Sequence, residues 1–482
     1  MRDGEARHSL DPVHPIPEVH TLRELRETGH VHRTVKAEIR ENLLARLRSG
    51  EPRFPGIVGF DDTVLPHLER ALLAGHDIVL LGERGQGKTR LIRTVAGLLD
   101  EWTPVVAGCE INDHPYAPVC VRCRRLAEEK GDDLPVAWRH RDERYGEKLA
   151  TPDTSVGDLI GDVDPIKIAE GRTLGDPETV HYGLVPRTNR GIFSVNELPD
   201  LAERIQVALL NVLEERDIQI RGYNLRLPLD ILLIASANPE DYTNRGRIIT
   251  PLKDRFGAEI RTHYPLDLDA ELRLIRQEAR LDWETLGADL PDHLVEVIAR
   301  FTRLVRESTA VDARSGVSAR FSIAAAETAA ASAVRRAAIT GEERAVTRIC
   351  DLPAVVQTLR GKVEFEVSEE GRETEVLAHL LRRATAETFR QRLGALDLTP
   401  LLDKFSEGTQ VESGDLVPAA ELLRRIGPVP GLSKIMSALG MGEGDESPGH
   451  AAAALEFALE GLYLLRRLSK DEIEGGGARY RT

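Results

Sequence analysis

The sequence is short of several features that would assign it to a structural class. Four cysteines in 482 residues are too few for a disulfide framework, so we expect reduced thiols. No apolar run approaches the roughly 18 residues that cross a bilayer, and the first twenty residues carry charges and prolines where a signal peptide has an apolar core. These absences predict a cytoplasmic protein with no membrane span.

Basic residues are also in deficit. The chain has 64 Lys and Arg against 79 Asp and Glu, which gives a formal net charge of −15 at pH 7. The overall charge therefore does not draw the protein to nucleic acid or to an anionic membrane, although local basic patches remain open. At this length we expect two or three domains and a substantial core.

A glycine-rich motif is the strongest signal in the chain. The apolar run 78–81 precedes it and a segment that can continue as a helix, 90–96, follows it. Strand, glycine turn and helix in this order indicate a P-loop, whose backbone N–H groups surround a phosphate while the lysine reaches the β- and γ-phosphates and the threonine hydroxyl binds Mg²⁺. The candidate nucleotide-binding residues are Gly82, Glu83, Arg84, Gly85, Gln86, Gly87, Lys88 and Thr89.

Strand and helix patterns place this loop in an α/β domain. Buried-strand patterns recur at 191–195 and 230–236 with a helical pattern between them, which predicts a three-layered domain around a largely parallel sheet. After about residue 266 the apolar spacing is helical. The predicted regions are 1–53 (N-terminal tail and helix), 54–265 (P-loop α/β domain with an insert at 108–190), 266–345 (all-α lid) and 346–482 (mostly helical, with a flexible tail from 474).

Phosphoryl transfer to water also needs a group that polarises the water and positive charge for the transition state. Glu197 ends the second buried strand and could polarise water, while Asn238 follows the neighbouring strand and could position that water. Arg255 and Arg320 could each reach a phosphate. A surface ion pair is the alternative for either arginine.

Taken in order, these motifs resemble the AAA+ ATPases, and more narrowly the magnesium-chelatase I-subunit and MoxR-like group. The similarity covers about 54–340 and rests on 82–89, 192–197, 235–238, 254–256 and 318–320. It implies that Arg255 is the arginine finger, Asn238 sensor 1 and Arg320 sensor 2, and that 158–183 is the helix-2 insert. It also implies a homo-oligomeric ring, commonly a hexamer, with ATP between subunits and a partner protein that carries a von Willebrand-type domain.

One position departs from the pattern of that family. The family has Asp-Glu at the end of the second strand, whereas this chain has Asn196 followed by Glu197. The resemblance gives residue 196 the task of holding Mg²⁺ through a water. An amide keeps a hydrogen bond there but brings no negative charge, so we expect real but slow hydrolysis.

The region 108–190 contains a candidate metal site. Cys120 and Cys123 have the two-residue spacing that lets two thiolates face one ion, and Cys109 and His114 lie upstream within reach of a loop. Three interpretations stay open: bound zinc, redox-regulated thiols and inert reduced thiols.

A hairpin predicted at 218–227 could line the pore of a ring, with Arg221 and Tyr223 at its tip.

The leading hypothesis for the function is an ATP-driven ring that remodels or loads a metal-related partner, and a MoxR-type chaperone is the next candidate. A nucleotide-gated scaffold with negligible hydrolysis is the alternative from another class. A nucleic-acid motor is disfavoured by the acidic charge, and an activator of an alternative sigma factor by the absence of a GAFTGA sequence.

Overall fold

Over most of the chain, the segments with a buried-strand pattern form strands, and the segments with helical apolar spacing form helices. The computed structural model describes residues 15–163, 169, 179–215, 227–239, 247–282, 284–312, 316–406, 408–442, 447–473 and 477–481. Its strands are β1 (Ile78–Leu81), β2 (Trp102–Val106), β3 (Val136–His140), β4 (Tyr145–Leu149), β5 (Gly161–Val163), β6 (Val180–Tyr182), β7 (Gly191–Asn196), β8 (Ile231–Ala237), β9 (Ala258–Arg261), β10 (Ala288–Asp289), β11 (Ala345–Val346), β12 (Val411–Ser413), β13 (Ser469–Ile473) and β14 (Gly477–Arg481).

The helices alternate with these strands in the first half and dominate the second. They are α1 (Leu22–Glu27), α2 (Val35–Ser49), α3 (Val64–Ala74), α4 (Lys88–Val95), α5 (Val121–Lys130), α6 (Val156–Leu159), α7 (Leu184–Arg187), α8 (Glu203–Glu215), α9 (Thr250–Arg255), α10 (Leu268–Glu278), α11 (Asp292–Glu307), α12 (Ala319–Thr340), α13 (Pro353–Leu359), α14 (Glu373–Leu393), α15 (Thr399–Ser406), α16 (Ala419–Ile426), α17 (Leu432–Ala438) and α18 (Pro448–Leu464).

The central element is a five-stranded sheet in the order β4-β7-β8-β1-β9. Every neighbouring pair in it is parallel. Leu81 lies opposite Ala237, and Val195 lies opposite Ala235, so β1, β7 and β8 end at the same edge. The prediction of a parallel α/β sheet is confirmed, and its carboxyl edge is where open sheets of this type bind ligands.

Side chains of these strands alternate between two apolar layers, as the period of a strand requires. Val79 and Leu81 point into one layer together with β7, β8 and α8, while Ile78 and Leu80 point into the other with α2, α3 and α4. Because both faces of the sheet are covered, the strands consist of continuous apolar residues. The domain is therefore three-layered.

The stretch 108–190, predicted as an insert, also supplies part of the main sheet. β4 lies in it and pairs in parallel with β7 along Tyr145–Leu149. β2 does not join this sheet and pairs with β3 in a separate two-stranded antiparallel sheet. A short half-polar strand such as β4 has no apolar run to mark it, so its place in the sheet was not predictable.

The described residues group into two compact units. One contains residues up to Gly82 and from Gly87 to Thr262, and the other contains Glu83–Gln86 and residues from His263 onward. Within the second unit, helices from both predicted regions 266–345 and 346–482 share one hydrophobic core.

That core also buries charged pairs. Arg348 donates from Nε and Nη2 to the carboxylate of Glu456 (3.0 and 2.6 Å), and both side chains are fully buried. Arg336 pairs in the same way with Asp351 at 3.1 Å. Since buried charges are tolerated only when they are paired and hydrogen-bonded, these contacts are part of what holds the helices in register.

The prediction of a flexible tail from residue 474 is wrong for Gly477–Arg481. These residues form β14, the middle strand of the antiparallel sheet β12-β14-β13. Tyr480 explains the order, because its side chain is buried and its hydroxyl donates to Glu460 Oε2 at 2.5 Å. A single buried aromatic residue in a glycine-rich, charged stretch produces no apolar periodicity, so the sequence does not reveal this strand.

Two sequence predictions fall outside the described residues. The tip of the hairpin 218–227, with Arg221 and Tyr223, is one, and most of the segment 158–183 is the other. Among the described helices, none is long and apolar enough to cross a membrane.

Candidate functional site

The glycine-rich loop connects β1 to α4 in the geometry that a P-loop requires. Gly87 caps the N-terminus of α4 with φ of 79°, a left-handed conformation in which any side chain would be strained. No described atom lies within 4 Å of a Cβ placed there, so open space lies beside the first turn of α4. A helix N-terminus with this free space can accept an anion.

Lys88 is the first residue of α4 and its side chain is buried. Its Nζ donates to the carbonyl of Gly82 at 2.5 Å and to Asn238 Oδ1 at 2.8 Å. The ammonium group therefore lies between the loop and the end of β8. These two acceptors hold the lysine at the edge of the sheet, at the start of α4.

Asn196 connects the loop to the last strand of the sheet. Its Oδ1 accepts from the hydroxyls of Thr89 and Ser236, both at 3.2 Å. Its Nδ2 donates to Glu147 Oε1 at 2.8 Å. These partners fix the orientation of the amide, since two hydroxyls face its oxygen and a carboxylate faces its nitrogen.

Glu147, on β4, is the residue at this edge that the sequence did not reveal. It stands one hydrogen bond from Asn196 and also accepts from Arg93 (2.8 and 2.9 Å) and from the hydroxyl of Tyr145. Burial opposes ionisation, but the hydrogen bonds from Arg93 and Tyr145 outweigh it and lower the pKa of Glu147. A carboxylate is thus present beside the position where Asn196 lacks one.

Glu197 has an unusual backbone. Its φ of 57° places a non-glycine residue in the left-handed region, which costs about 1–3 kcal/mol and marks positions that the fold over-determines. Its backbone N–H donates to Ser236 Oγ at 3.3 Å, and its Oε2 accepts from Asn238 Nδ2 at 2.5 Å. The half-buried carboxylate is therefore fixed directly beside Asn238.

The tip of the glycine loop, Glu83–Gln86, makes its contacts within the second unit. Gly85 has φ of 73°, and a Cβ there would lie 2.0 Å from that of Ser318, so only glycine fits. The backbone N–H of Ala319 donates to Gly85 O at 3.3 Å. Arg320 follows in the first turn of α12 with its side chain exposed, near this tip.

Arg255, predicted as the arginine finger, ends α9 with about half of its side chain exposed. It forms an ion pair with Glu214 of α8 within the same chain. This is the surface pairing that the sequence left open as the alternative.

The cysteine-containing turn differs from the predicted ligand set at one position. Cys109, Cys120 and Cys123 come together with Asp113 rather than with His114, and one ligand atom from each lies within 4.8 Å of all the others. Hydrogen bonds from the other two thiols lower the pKa of Cys109 to about 3, which means that one proton leaves this group easily. Asp113 is also linked to this cluster through its backbone, because its N–H donates to Cys109 Sγ at 3.3 Å.

His114 lies in a different cluster. Its Nε2 is 3.2 Å from His30 Nε2, its Nδ1 accepts from the backbone N–H of Tyr116, and its ring is 4.1 Å from that of His32. Burial, and then the charge of Arg190, lower the pKa of His114 to about 2. The predicted fourth ligand is thus directed away from the thiols by aromatic packing that spans more than 80 residues of sequence.

Comparison with known proteins gives two kinds of match. A family model described as the Sigma-54 interaction domain matches residues 172–255, which contain β7, β8 and α9. The magnesium-chelatase 38 kDa subunit of Acidiphilium rubrum is 30% identical over 224 residues, 44% of this chain and 58% of that protein. The chloroplastic magnesium-chelatase subunit ChlI-1 of Arabidopsis thaliana is 29% identical over 248 residues, 49% of this chain and 54% of that protein.

This chain resembles the AAA+ ATPases of the magnesium-chelatase I-subunit group. It spans slightly more than half the length of these two relatives. A solved structure of the complex between subunits BchI and BchD of magnesium chelatase aligns with a TM-score of 0.35 at 22% identity, covering 67% of this chain and 98% of that chain.

Proposed function

We propose that this chain binds ATP with Mg²⁺ and hydrolyses it as the ring motor of a magnesium-chelatase I-type assembly, remodelling or loading a metal-related partner protein. The observation that carries the proposal is the convergence of Lys88, Thr89, Asn196, Glu197 and Asn238 at the carboxyl ends of β1, β7 and β8. Similarity to the magnesium-chelatase subunits supports the same chemistry.

The triphosphate would lie over the first turn of α4. The N–H groups that begin this helix, the open space beside Gly87 and the Lys88 ammonium group supply donors and positive charge on one side. The Lys88 ammonium group lies between Gly82 O and Asn238 Oδ1, and a phosphate oxygen can take the place of either acceptor. Electrostatic stabilisation of this kind is worth more at a partly buried site than in water.

The donor set beside the loop fits Mg²⁺, which prefers oxygen ligands and keeps several waters. Thr89 Oγ1 would bind the ion, and Asn196 Oδ1 would accept from one of its waters. Glu147 would add the negative charge that Asn196 lacks, acting through the amide at 2.8 Å. The ion, when bound, would neutralise charge on the β- and γ-phosphates.

Hydrolysis then requires a base and an oriented water. Glu197 accepts the proton of the attacking water as the new bond from oxygen to the γ-phosphorus forms, and the bond to the bridging oxygen of ADP breaks. Asn238, held on Glu197 Oε2, donates either to that water or to the γ-phosphate. Lys88 stabilises the charge that develops on the phosphate oxygens.

A ring would complete the site between chains. Arg255 is exposed, so exchanging Glu214 for a phosphate of a neighbouring chain costs little. Arg320 is exposed in the first turn of α12 and would act as sensor 2. In this proposal the partner that carries a von Willebrand-type domain, and the metal it handles, come from the family resemblance, whereas the cytoplasmic location is the expectation drawn from the composition of the chain. A MoxR-type chaperone with another client would use the same motor.

A nucleotide-gated scaffold is the second candidate, and Asn196 favours it. An uncharged amide replaces a carboxylate at the end of β7, which weakens the hold on Mg²⁺ and could reduce hydrolysis to a negligible rate. In that case ATP would assemble the ring without driving it. The matched Sigma-54 interaction domain does not lead us to a sigma-factor activator, because the sequence contains no GAFTGA loop.

The test is steady-state phosphate release by the purified chain with Mg²⁺ and ATP, alongside binding of a fluorescent ATP analogue. We expect Lys88→Ala to lose both binding and release. Glu197→Gln should keep binding and lose about 10²- to 10⁴-fold in release, the usual contribution of a general base. The matched controls are Lys130→Ala and Glu203→Gln, which change exposed side chains on α5 and α8.

Two results would count against the motor. Wild type, Lys88→Ala and Glu197→Gln could be equally silent in phosphate release while the wild type still binds ATP, which would select the scaffold. If the wild type bound no ATP at all, both candidates would fail. If the wild type does bind and hydrolyse ATP, co-purification with Glu197→Gln under ATP would identify the partner that the trapped motor retains.

A further inference from the structure

The turn that follows β2 brings three thiols and a carboxylate together away from the strand-end residues. Cys109, Asp113, Cys120 and Cys123 are each at most 5% exposed. Their ligand atoms all lie within 4.8 Å of one another, a spacing that one metal ion can bridge with small side-chain movements. Apolar packing does not explain why three thiols and a carboxylate lie this close together.

Asp113 carries the clearest sign of a missing ligand. Its Oδ2 accepts from the backbone N–H groups of Val119 and Cys120 at 3.1 and 2.9 Å. Its Oδ1 is buried and has no hydrogen-bond partner among the described residues. A buried carboxylate oxygen without a hydrogen-bond partner costs several kcal/mol unless a cation binds it.

The backbone is arranged to support thiolates. The N–H of Asp113 donates to Cys109 Sγ and the N–H of Cys123 donates to Cys120 Sγ, both at 3.3 Å. Cys120 is the N-cap of α5, and Cys123 lies in the first turn of this ten-residue helix. Hydrogen bonds to sulfur and a helix N-terminus both favour the ionised form that binds metals.

We propose that these four side chains hold one zinc ion in a tetrahedral Cys₃Asp site. Sulfur-rich tetrahedral ligands select zinc among the common divalent ions, and a closed set of four protein ligands is typical of a structural site. Binding requires all three cysteines as thiolates, and the four anionic ligands then leave a charge of −2 on the complex. Arg122, whose Nη1 lies 4.0 Å from Cys123 Sγ, offsets part of it.

The site would stabilise the approach to β7. Asn112, in the turn between Cys109 and Asp113, donates to the carbonyls of Arg187 and Asn189, and Asn189 Nδ2 donates back to Ile111 O at 3.0 Å. This turn therefore holds the segment that leads into β7, the strand that ends at Asn196. The zinc ion would fix the turn, and through it the start of that strand.

The experiment measures metal rather than ATP hydrolysis, so its failure is separate from failure of the proposed function. The full chain is expressed with added zinc, purified without chelator and analysed for metals by mass spectrometry. We expect about one zinc per chain, as in other closed four-ligand sites. A mercurial reagent should release this zinc from the wild type, and cobalt exchange should give the absorption bands of a tetrahedral thiolate complex.

Variants assign the ligands. Cys109→Ser and Asp113→Asn should each lower zinc affinity by at least about tenfold. Cys350→Ser is the matched control, because the fourth cysteine lies in the other unit and should leave the zinc content unchanged. Wild-type protein with less than about a tenth of an equivalent of zinc, with an iron–sulfur spectrum, or with a disulfide among these cysteines would overturn the proposal, as would loss of zinc in Cys350→Ser.

Discussion

The core of the second unit and the sheet edge of the first both contain buried polar groups, but the two places hold them in different ways. In the second unit Arg348 and Glu456 are each 0% exposed, and Ser413 also donates to that carboxylate at 2.7 Å. At the sheet edge of the first unit, buried amides alternate with charged groups that remain partly exposed. The side chains of Glu147 and Arg93 are 23% and 63% exposed.

This difference separates a network that holds the fold from one that can exchange partners. A fully enclosed ion pair has no route to a ligand, so removing one partner leaves a charge in an apolar core. A chain of amides that ends in half-exposed carboxylates can release a hydrogen bond to a phosphate or to a hydrated ion. Mutations should therefore affect stability at the enclosed pairs of the second unit and ligand binding at the sheet edge of the first.

The largest effect on stability is expected from Arg348→Met, which leaves the charge of Glu456 unpaired in the core. We expect a loss of about 3–5 kcal/mol in the free energy of unfolding, measured by urea denaturation followed by circular dichroism. The double variant Arg348→Met with Glu456→Leu should recover most of this loss, since it removes both charges. A single variant as stable as the wild type would show that the enclosed pair does not hold the fold.

Glu147→Gln tests the sheet edge of the first unit, where we expect ligand binding to change and stability to stay the same. Removing its charge leaves the fold intact but weakens the support of Mg²⁺ through Asn196, so the Mg²⁺ concentration for half-maximal phosphate release should rise about 10- to 100-fold. The control is Glu143→Gln, whose exposed carboxylate pairs with Arg139. An unchanged Mg²⁺ dependence with lowered stability would place Glu147 with the structural pairs instead.

Acid should destabilise the second unit through His293. Burial, and then the charges of Arg392 and His450, lower its pKa to about 3, and neither ring nitrogen has a hydrogen-bond partner among the described residues. In the unfolded chain the imidazole of His293 binds a proton near pH 6.5, whereas in the folded chain it stays neutral at that pH. The free energy of unfolding is therefore at its full value above pH 6.5 and decreases as the pH falls. The loss between pH 6.5 and 5.0 should be about 2 kcal/mol.

Urea denaturation at these two pH values tests that expectation. His293→Leu fills the same site against Phe457 without a titrating group, so its stability should change less with pH than that of the wild type. His67, exposed on α3, is the control position for a substitution by leucine. Equal acid sensitivity in the wild type and His293→Leu would show that another group titrates against the fold.

The smallest effect on stability is expected from Arg255→Ala. Its pair with Glu214 is exposed, and such pairs contribute about 0–1 kcal/mol to the free energy of unfolding. Phosphate release should nevertheless fall if Arg255 serves a neighbouring chain, and the fall should be seen only at protein concentrations that support assembly. A loss of stability above about 2 kcal/mol would instead make Arg255 a structural residue.

Sequence alone determined what short contiguous segments encode. The glycine loop, the three buried strands and the helical character of the chain after about residue 266 follow from local spacing, because strand and helix periods are set by neighbouring residues. The same signals predicted the parallel sheet, since buried apolar runs that alternate with helices fit few other arrangements.

Tertiary structure decided which distant side chains meet. Thr89 and Asn196 are 107 residues apart, and Lys88 and Asn238 are 150 apart, so their contacts exist only because parallel strands end at one edge. Glu147 reaches Asn196 through a strand that no apolar run marks. Asp113 joins the cysteines because aromatic packing holds His114 elsewhere, and Tyr480 orders a tail through one buried ring. Each of these outcomes depends on packing against residues far away in the chain, which local patterns do not record.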